Sequence, residues 1–325
     1  MNSLPDTLRT AALTDARLLA WLAATVGASA ALQLAQRFAD VADLAAADQV
    51  QLAAAAGPHA ARRAEQLRAG PQLPDLSDGS TLVGYFDDLF PSVWRQMPAP
   101  PAAVWVRGRL DLLGQLAAGV AIVGTRQPSP LGTAAARRAA RAAVAAGLPV
   151  ISGLAAGVDA AAHQACLEQG GQTIAVLGSG VNAPTPAQNR PLAAQILVAG
   201  GALVSEQPPG TRPSAATLIA RNRLVAAAAG TVCAECGTPS GTLHTVRYAL
   251  QAGRPLIVPR PPDGWPAAAG NAALLDPDTD IRRLLTAPRW LASQLADRWP
   301  AAVAVADGTE LDRAVHQLAV SPAAG

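Results

Sequence analysis

The chain contains no lysine, and all 25 of its basic side chains are arginine. Beside such abundant alanine, this absence reflects a coding bias rather than a function. Aromatic residues are scarce, at 3% of the chain. Between residues 101 and 260 only Trp105 and Tyr248 are available, so stacking on nucleobases is thinly supplied there. The cysteines are three, Cys166, Cys233 and Cys236, an odd count that excludes a fully paired disulfide framework. Cys233-x-x-Cys236 has no second ligand pair at similar spacing, which excludes a four-ligand zinc site. The thiols read as small buried side chains, with metal or redox chemistry as the lesser alternative. No H-E-x-x-H or Walker A sequence occurs. No stretch supplies the roughly 20 apolar residues, free of charge and proline, that cross a bilayer. The N-terminus lacks a basic-then-apolar signal pattern. The expectation is a soluble, cytoplasmic protein without membrane contact, metal or cofactor.

What is present is a core and an uneven charge. Of 325 residues, 50% are hydrophobic, ample for roughly one to three domains. The net charge is only +2, yet residues 101–260 hold thirteen arginines against five acids. The remainder of the chain is net acidic. Such asymmetry points to a polyanionic partner; the alternative is ordinary solvated arginines.

Residues 1–70 read as a helical N-terminal domain. DARLLAWLAATVG places apolar residues at helical spacing and stops at Gly27. Residues 71–100 are a linker and lead-in, opening with PQLPDLSDGS. Residues 101–275 alternate. AVWVRG is a short strand, and VAIVG, PVISG, TIAVLG, ALVSE, TVCAE and PLIVP follow, with alanine-rich helical stretches between the later runs. Their starts recur at about the length of one βα unit. The runs are apolar throughout, as for strands covered on both faces. The fold class is α/β, a doubly wound Rossmann-like and mainly parallel sheet. Residues 276–325 read as a small segment of two or three modest helices.

Ligands of such sheets sit at the carboxyl ends of the strands. Small, polar and glycine residues cluster there. Gly124, Thr125 and Arg126 follow the first run, and Ser152 and Gly153 the second. Asn189 and Arg190 follow the third, and Ser240, Gly241 and Thr242 the fifth. Glycine admits a ligand to the backbone, and each following helix start offers N–H groups to an anion. Singly these are tight turns; together they make a phosphate-friendly rim. Arg221, Asn222 and Arg223 add two guanidinium forks around an amide, suited to phosphate oxygens. His163 lies four residues beyond Asp159, which fits either a catalytic pair or a structural clip. Ser152 stands outside any G-x-S-x-G elbow, so a hydrolytic triad is not supported.

The series VAIVGTR, SGLAAGVDAAAH, GGQTIAVLGSGV, P-x-x-N, SEQPPG, ARNRLVA, SGTLHT and AGRPLIVP resembles the DNA-processing protein A (DprA/Smf) family over residues 80–260. The resemblance implies a Rossmann-like domain that binds single-stranded DNA and acts as a homodimer. It also implies protection of incoming DNA and loading of the RecA recombinase in natural transformation, with no catalytic residue. Arg126 matches the arginine of the family's G-S-R loop, Ser152 and Gly153 its S-G-L-A. Arg190 stands where a basic residue follows P-x-x-N. Arg221, Asn222 and Arg223 match R-N-R, and Ser240, Gly241 and Thr242 its S-G-S loop. The N-terminal domain resembles that family's SAM or helix-hairpin-helix-like module, and 276–325 a reduced or divergent winged helix. Thr185 replaces a usual aromatic, LIARNR lacks the usual F-P, and VPRPP replaces V-P-G. A different class remains open. A nucleotide-binding or nucleoside-monophosphate-hydrolysing enzyme could use Glu235 and Arg126, but its P-G-G-x-G-T-x-x-E run is absent. A pure interaction scaffold is the third reading.

Overall fold

The structure is a computed structural model that describes residues 11–69, 71–72, 76–299 and 302–320. Parts of the expected N-terminal domain (1–10 and 70), linker (73–75) and C-terminal segment (300–301 and 321–325) lie outside the described residues. The chain forms two compact units, Met1–Val106 and Arg107–Gly325.

The first unit carries helices α1 (Ala16–Val26), α2 (Ala28–Arg37), α3 (Val41–Ala46), α4 (Gln49–Arg62) and α5 (Ala64–Arg68). Asp15 caps α1 by accepting from Arg17 N at 2.8 Å and Leu18 N at 3.4 Å. Leu18, Leu19, Leu22 and Val26 form its buried stripe, and Gly27 ends it at φ 87°. Strand β1 (Thr81–Gly84) pairs antiparallel with β2 (Ala103–Gly108), with the short helix α6 (Ser92–Arg95) between them. Trp94 and Phe90 are fully buried, and Arg95 lies 5.5 Å from the Phe90 ring centroid.

The second unit is a parallel sheet of seven strands among the described residues. In chain order these are β3 (Val120–Gly124), helix α7 (Pro130–Ala145), β4 (Val150–Ser152) and α8 (Val158–Glu168). Then come β5 (Thr173–Leu177), α9 (Arg190–Val198), β6 (Ala202–Ser205), α10 (Ala215–Val225) and β7 (Gly230–Glu235). Last are α11 (Thr242–Gln251), β8 (Leu256–Pro259), α12 (Ala269–Leu275), α13 (Ile281–Leu284), α14 (Ala292–Arg298), β9 (Ala302–Val305) and α15 (Gly308–Val320). The strand order is β6-β5-β4-β3-β7-β8-β9, and each neighbouring pair is parallel. The apolar runs of 120–259 form β3 to β8. The tail read as helical also contributes a strand, β9. AVAV is too short to show a period, and its pairing with β8 decides its conformation.

Val120, Ile122, Val150, Ile174 and Val176 are fully buried. Each such side chain contributes about 1.5–3 kcal/mol. Helix α7 buries Ala136, Ala139, Ala140 and Ala143. These small side chains let its backbone approach the sheet closely. The chain moves outward from β3 to β6 and then returns to add β7 on the other side of β3. That reversal makes the carboxyl ends of β3 and β7 the switch point where open α/β sheets bind ligands.

Candidate functional site

The loop after β3 is pinned on both sides of Arg126. Thr125 N donates to Glu235 O at 2.7 Å, and Thr125 O accepts from Val158 N at 3.1 Å. Ser129 N donates to Glu235 Oε1 at 2.8 Å, and Ser129 Oγ donates to the other carboxylate oxygen. Ser129 Oγ also accepts from Gly132 N at 3.1 Å, capping α7. Gly124 is obligatory here, because a Cβ would fall 2.7 Å from Glu235 O and 2.5 Å from Val158 Cγ2. The Arg126 side chain stays exposed, and no ion pair engages it among the described residues.

Arg221, on α10, is buried, with only 8% exposed. Its guanidinium lies over Gly153, where a Cβ would fall 1.3 Å from Nη1. Asp159 Oδ2 stands 4.0 Å from Arg221 Nη2 and accepts from Gly153 N at 3.1 Å and Ala155 N at 3.2 Å. Burial pushes the Asp159 carboxyl pKa up, against the opposing pull of Arg221 and these hydrogen bonds. Burial lowers the Arg221 pKa; Asp159 opposes that shift, and Arg126 adds to it by like-charge repulsion. Arg221 Nε is buried and makes no hydrogen bond among the described residues. A buried donor without an acceptor is costly, so the site has room for one more hydrogen-bond acceptor at Arg221.

Asp159 does not bond His163. The imidazole Nδ1 instead lies 2.7 Å from Thr173 Oγ1, whose hydroxyl donates to Val150 O at 2.8 Å. Nδ1 is therefore the donor. Burial, then the Arg221 charge, lower its pKa to about 3. His163 supports the sheet from α8 and forms no catalytic pair with Asp159.

Gly124, Thr125 and Arg126 line one cavity of about 600 Å³ together with Arg221, Asn222, Ser240, Gly241 and Thr242. Ser240 Oγ accepts from Thr242 N at 3.2 Å, and Gly241 occupies the cap position of α11. Leu243 N and His244 N already donate to Ser240 O and Gly241 O, each at 3.2 Å. This helix start therefore offers hydroxyls more than free amides. Asn222 Nδ2 lies 3.5 Å from Gly241 O, joining α10 to the same wall. Leu218 and Ile219 give the cavity an apolar side, which the sequence reading missed. Each lies three residues before Arg221 or Asn222, a spacing that puts side chains on one helix face.

The remaining candidates lie outside that lining. Ser152 Oγ donates to Ile122 O at 2.6 Å and is fully buried. Gly153 backs Arg221 from beneath. Asn189 Nδ2 donates to Leu154 O at 2.9 Å, holding the loop in which Leu154 takes φ 58°. Arg190 is exposed, with Nε 3.4 Å from Pro184 O. Arg223 makes a two-pronged ion pair with Glu206, both contacts at 2.6 Å. Glu235 and Arg126, paired in the enzymatic alternative, line different cavities. The three cysteines are buried and free, with Cys233 Sγ 3.5 Å from Cys236 Sγ. No metal-binding cluster of His, Cys, Asp and Glu occurs among the described residues. No described helix is long and apolar enough to cross a membrane.

Residues 81–280 match the family model of DNA recombination-mediator protein A. Protein Smf of Synechocystis sp. is 41% identical over 182 residues, covering 54% of this chain and 45% of that protein. Protein Smf of Escherichia coli is 36% identical over 200 residues, 59% of this chain and 53% of that protein. The chain thus spans about half the length of these curated relatives. The crystal structure of DNA processing protein A from Streptococcus pneumoniae superposes with a TM-score of 0.66 at 25% identity, over 92% of this chain and 94% of that one. DNA processing protein A from Helicobacter pylori, solved for its single-stranded DNA binding mode, shares the fold. Its TM-score is 0.55 at 24% identity, over 64% of this chain and 96% of that one.

Proposed function

Because this chain belongs to the DNA recombination-mediator protein A family, we propose that it binds single-stranded DNA along the carboxyl edge of its parallel sheet. The observation that carries this reading is the Arg221 guanidinium, buried beside Arg126 with its Nε unpartnered. Two arginines and a wall of hydroxyls face one carboxylate, an arrangement completed by a phosphodiester. Arg126 meets the phosphate from the solvent side and Arg221 from beneath, with Asn222, Ser240 and Thr242 along the wall. Leu218 and Ile219 offer an apolar contact for an unpaired base. Backbone contacts carry most of the affinity, so sequence preference is weak.

The named relatives are DNA processing proteins, which supports a role in DNA processing during transformation and recombination. The proposal extends to a cytoplasmic homodimer that protects incoming DNA and helps load RecA. It makes the protein a binding module rather than an enzyme. Its domain plan is a helical module at 1–70 and a DNA-binding sheet domain at 101–275, onto which the accessory segment at 276–325 adds strand β9.

Gel shifts with single- and double-stranded oligonucleotides at 50 and 200 mM salt test the reading. The single strand is expected to bind tighter, and its affinity to fall steeply with salt, with a log–log slope near −0.7 per neutralised phosphate. Arg126→Ala is expected to weaken binding to all sequences alike and to reduce the magnitude of the slope by about 0.7, one phosphate contact. Salt-independent affinity, or a preference for duplex, overturns the reading. Release of free base from a nucleoside monophosphate would instead favour the enzymatic alternative.

A further inference from the structure

A second cavity, of about 570 Å³, opens at the carboxyl ends of β7, β8 and β9. Its floor is Ala234, Pro259 and Val305, and its walls are the start of α7 and the segment 260–265. Trp265 stands in its rim with 37% of its surface exposed, and Leu131 faces it with 52% exposed. The polar group in the floor is already satisfied. Asn271 is 1% exposed; its Oδ1 accepts from Cys236 N at 2.7 Å and its Nδ2 donates to Cys233 O at 3.0 Å.

The charged rim does not make an anion site. Arg138 is paired with Asp312 through Nε at 3.0 Å and Nη2 at 2.8 Å. The start of α15 is occupied by Asp307, whose Oδ1 accepts from Glu310 N at 2.9 Å. That bond holds the Asp307 carboxyl below its usual pKa, leaving negative charge where a phosphate would need to sit. A flat, apolar group suits the space. Trp265 supplies an aromatic face, and Arg260 supplies a guanidinium at the mouth.

The two cavities adjoin along one sheet edge. Glu235 lines the second cavity, while its main-chain oxygen and carboxylate hold the loop that carries Arg126. The second cavity lies about two strand spacings from β3, on the order of 10 Å. A short oligonucleotide anchored at Arg126 can reach it.

We propose that Trp265 is a stacking platform for one unpaired nucleobase of the strand whose backbone lies at Arg126 and Arg221. The proposal rests on the single-stranded DNA reading above. It supplies an aromatic contact that residues 101–260 lack, Trp265 lying five residues beyond them. The base stacks on the indole, with Leu131 and the prolines of 261–262 closing the far side. Arg260 faces the adjoining phosphate.

The test measures oligothymidylate affinity across a salt series for the wild type, Trp265→Ala, Trp265→Phe and Arg126→Ala, with thermal melts of each. Stacking contributes enough that Trp265→Ala is expected to weaken binding by about five- to hundredfold. Its salt slope should stay unchanged, because no phosphate contact is lost, and Trp265→Phe should retain most of the affinity. If Trp265→Ala binds like the wild type while Arg126→Ala is weakened, the base subsite is overturned and the phosphate track stands. A lowered salt slope in Trp265→Ala also overturns it, since the residue would then act through backbone contacts. If Trp265→Phe is as weak as Trp265→Ala, aromatic stacking is overturned. If free dAMP quenches the tryptophan emission that Trp265→Phe lacks, and does so at lower concentration than the oligonucleotide, the occupant is a nucleotide and not a strand base. If the wild type binds no single strand, both readings fall.

Discussion

Gly153→Ala is expected to remove most of the affinity for single-stranded DNA. The added Cβ would lie 1.3 Å from Arg221 Nη1 and 2.0 Å from its Cζ, so the guanidinium must leave its place over Gly153. Arg221 has little room to retreat at 8% exposure. Loss of one charge-assisted contact costs about 1.5–3 kcal/mol, or roughly ten- to hundredfold in Kd. Stability should fall by about 1–3 kcal/mol from overpacking. A double-mutant cycle checks the cause. In the Arg221→Ala background there is nothing for the methyl group to displace, so Gly153→Ala should then cost little further affinity. Additive losses in that cycle would show that Gly153 acts through the loop backbone and not through Arg221.

Acid should destabilise the folded chain through His163. The imidazole is fully buried, and its pKa falls from the usual 6.5 to about 3 on folding. Between those values the unfolded chain takes up a proton that the folded chain refuses. The contribution of neutral His163 is therefore fully present above pH 6.5 and is lost progressively as pH falls toward 3. The slope approaches about 1.4 kcal/mol per pH unit. Asp159, raised by burial, acts in the opposite sense. Its contribution is present in acid and is lost as pH rises through its folded pKa. The two slopes overlap below neutrality, and His244, lowered mainly by burial, adds to the first. The informative quantity is the difference between the wild type and His163→Gln. Urea unfolding at a series of pH values should show a flatter acid limb for His163→Gln. Parallel limbs would mean that His163 is not held neutral in the fold.

Much of this architecture could be read from particular residues. VAIVG, TIAVLG and TVCAE are apolar on both faces, and only a sheet covered by helices accepts such strands. Their ends carry Gly124, Gly178 and Glu235, and the small residues there mark the edge where a ligand approaches. TLVG and AVAV were not legible as β1 and β9, because four residues show no decisive period and pairing with a neighbour decides the matter. The site was legible in outline through Arg126, Asn222 and the Ser240–Thr242 turn, which do line one cavity. The role of Arg223 was not. R-N-R looks like a single cationic unit, yet residues two apart on a helix do not face the same way. Arg221 turns inward over Gly153, while Arg223 turns to Glu206.

By itself the sequence determined the α/β class, the sheet edge that bears the polar loops and the membership of a DNA-processing family. Those features are local, since an apolar run, a glycine or a motif keeps its meaning wherever the chain carries it. Only the tertiary structure decided which charges are available to a ligand. That outcome depends on desolvation and on partners distant in the chain. Arg221 is buried against Asp159 and lacks an acceptor at Nε, Arg223 is neutralised by Glu206, and Arg126 is left exposed on a loop that Glu235 holds in place. The three arginines are equal in the sequence and unequal in the fold, because electrostatic energy depends on burial and distance and not on residue type alone.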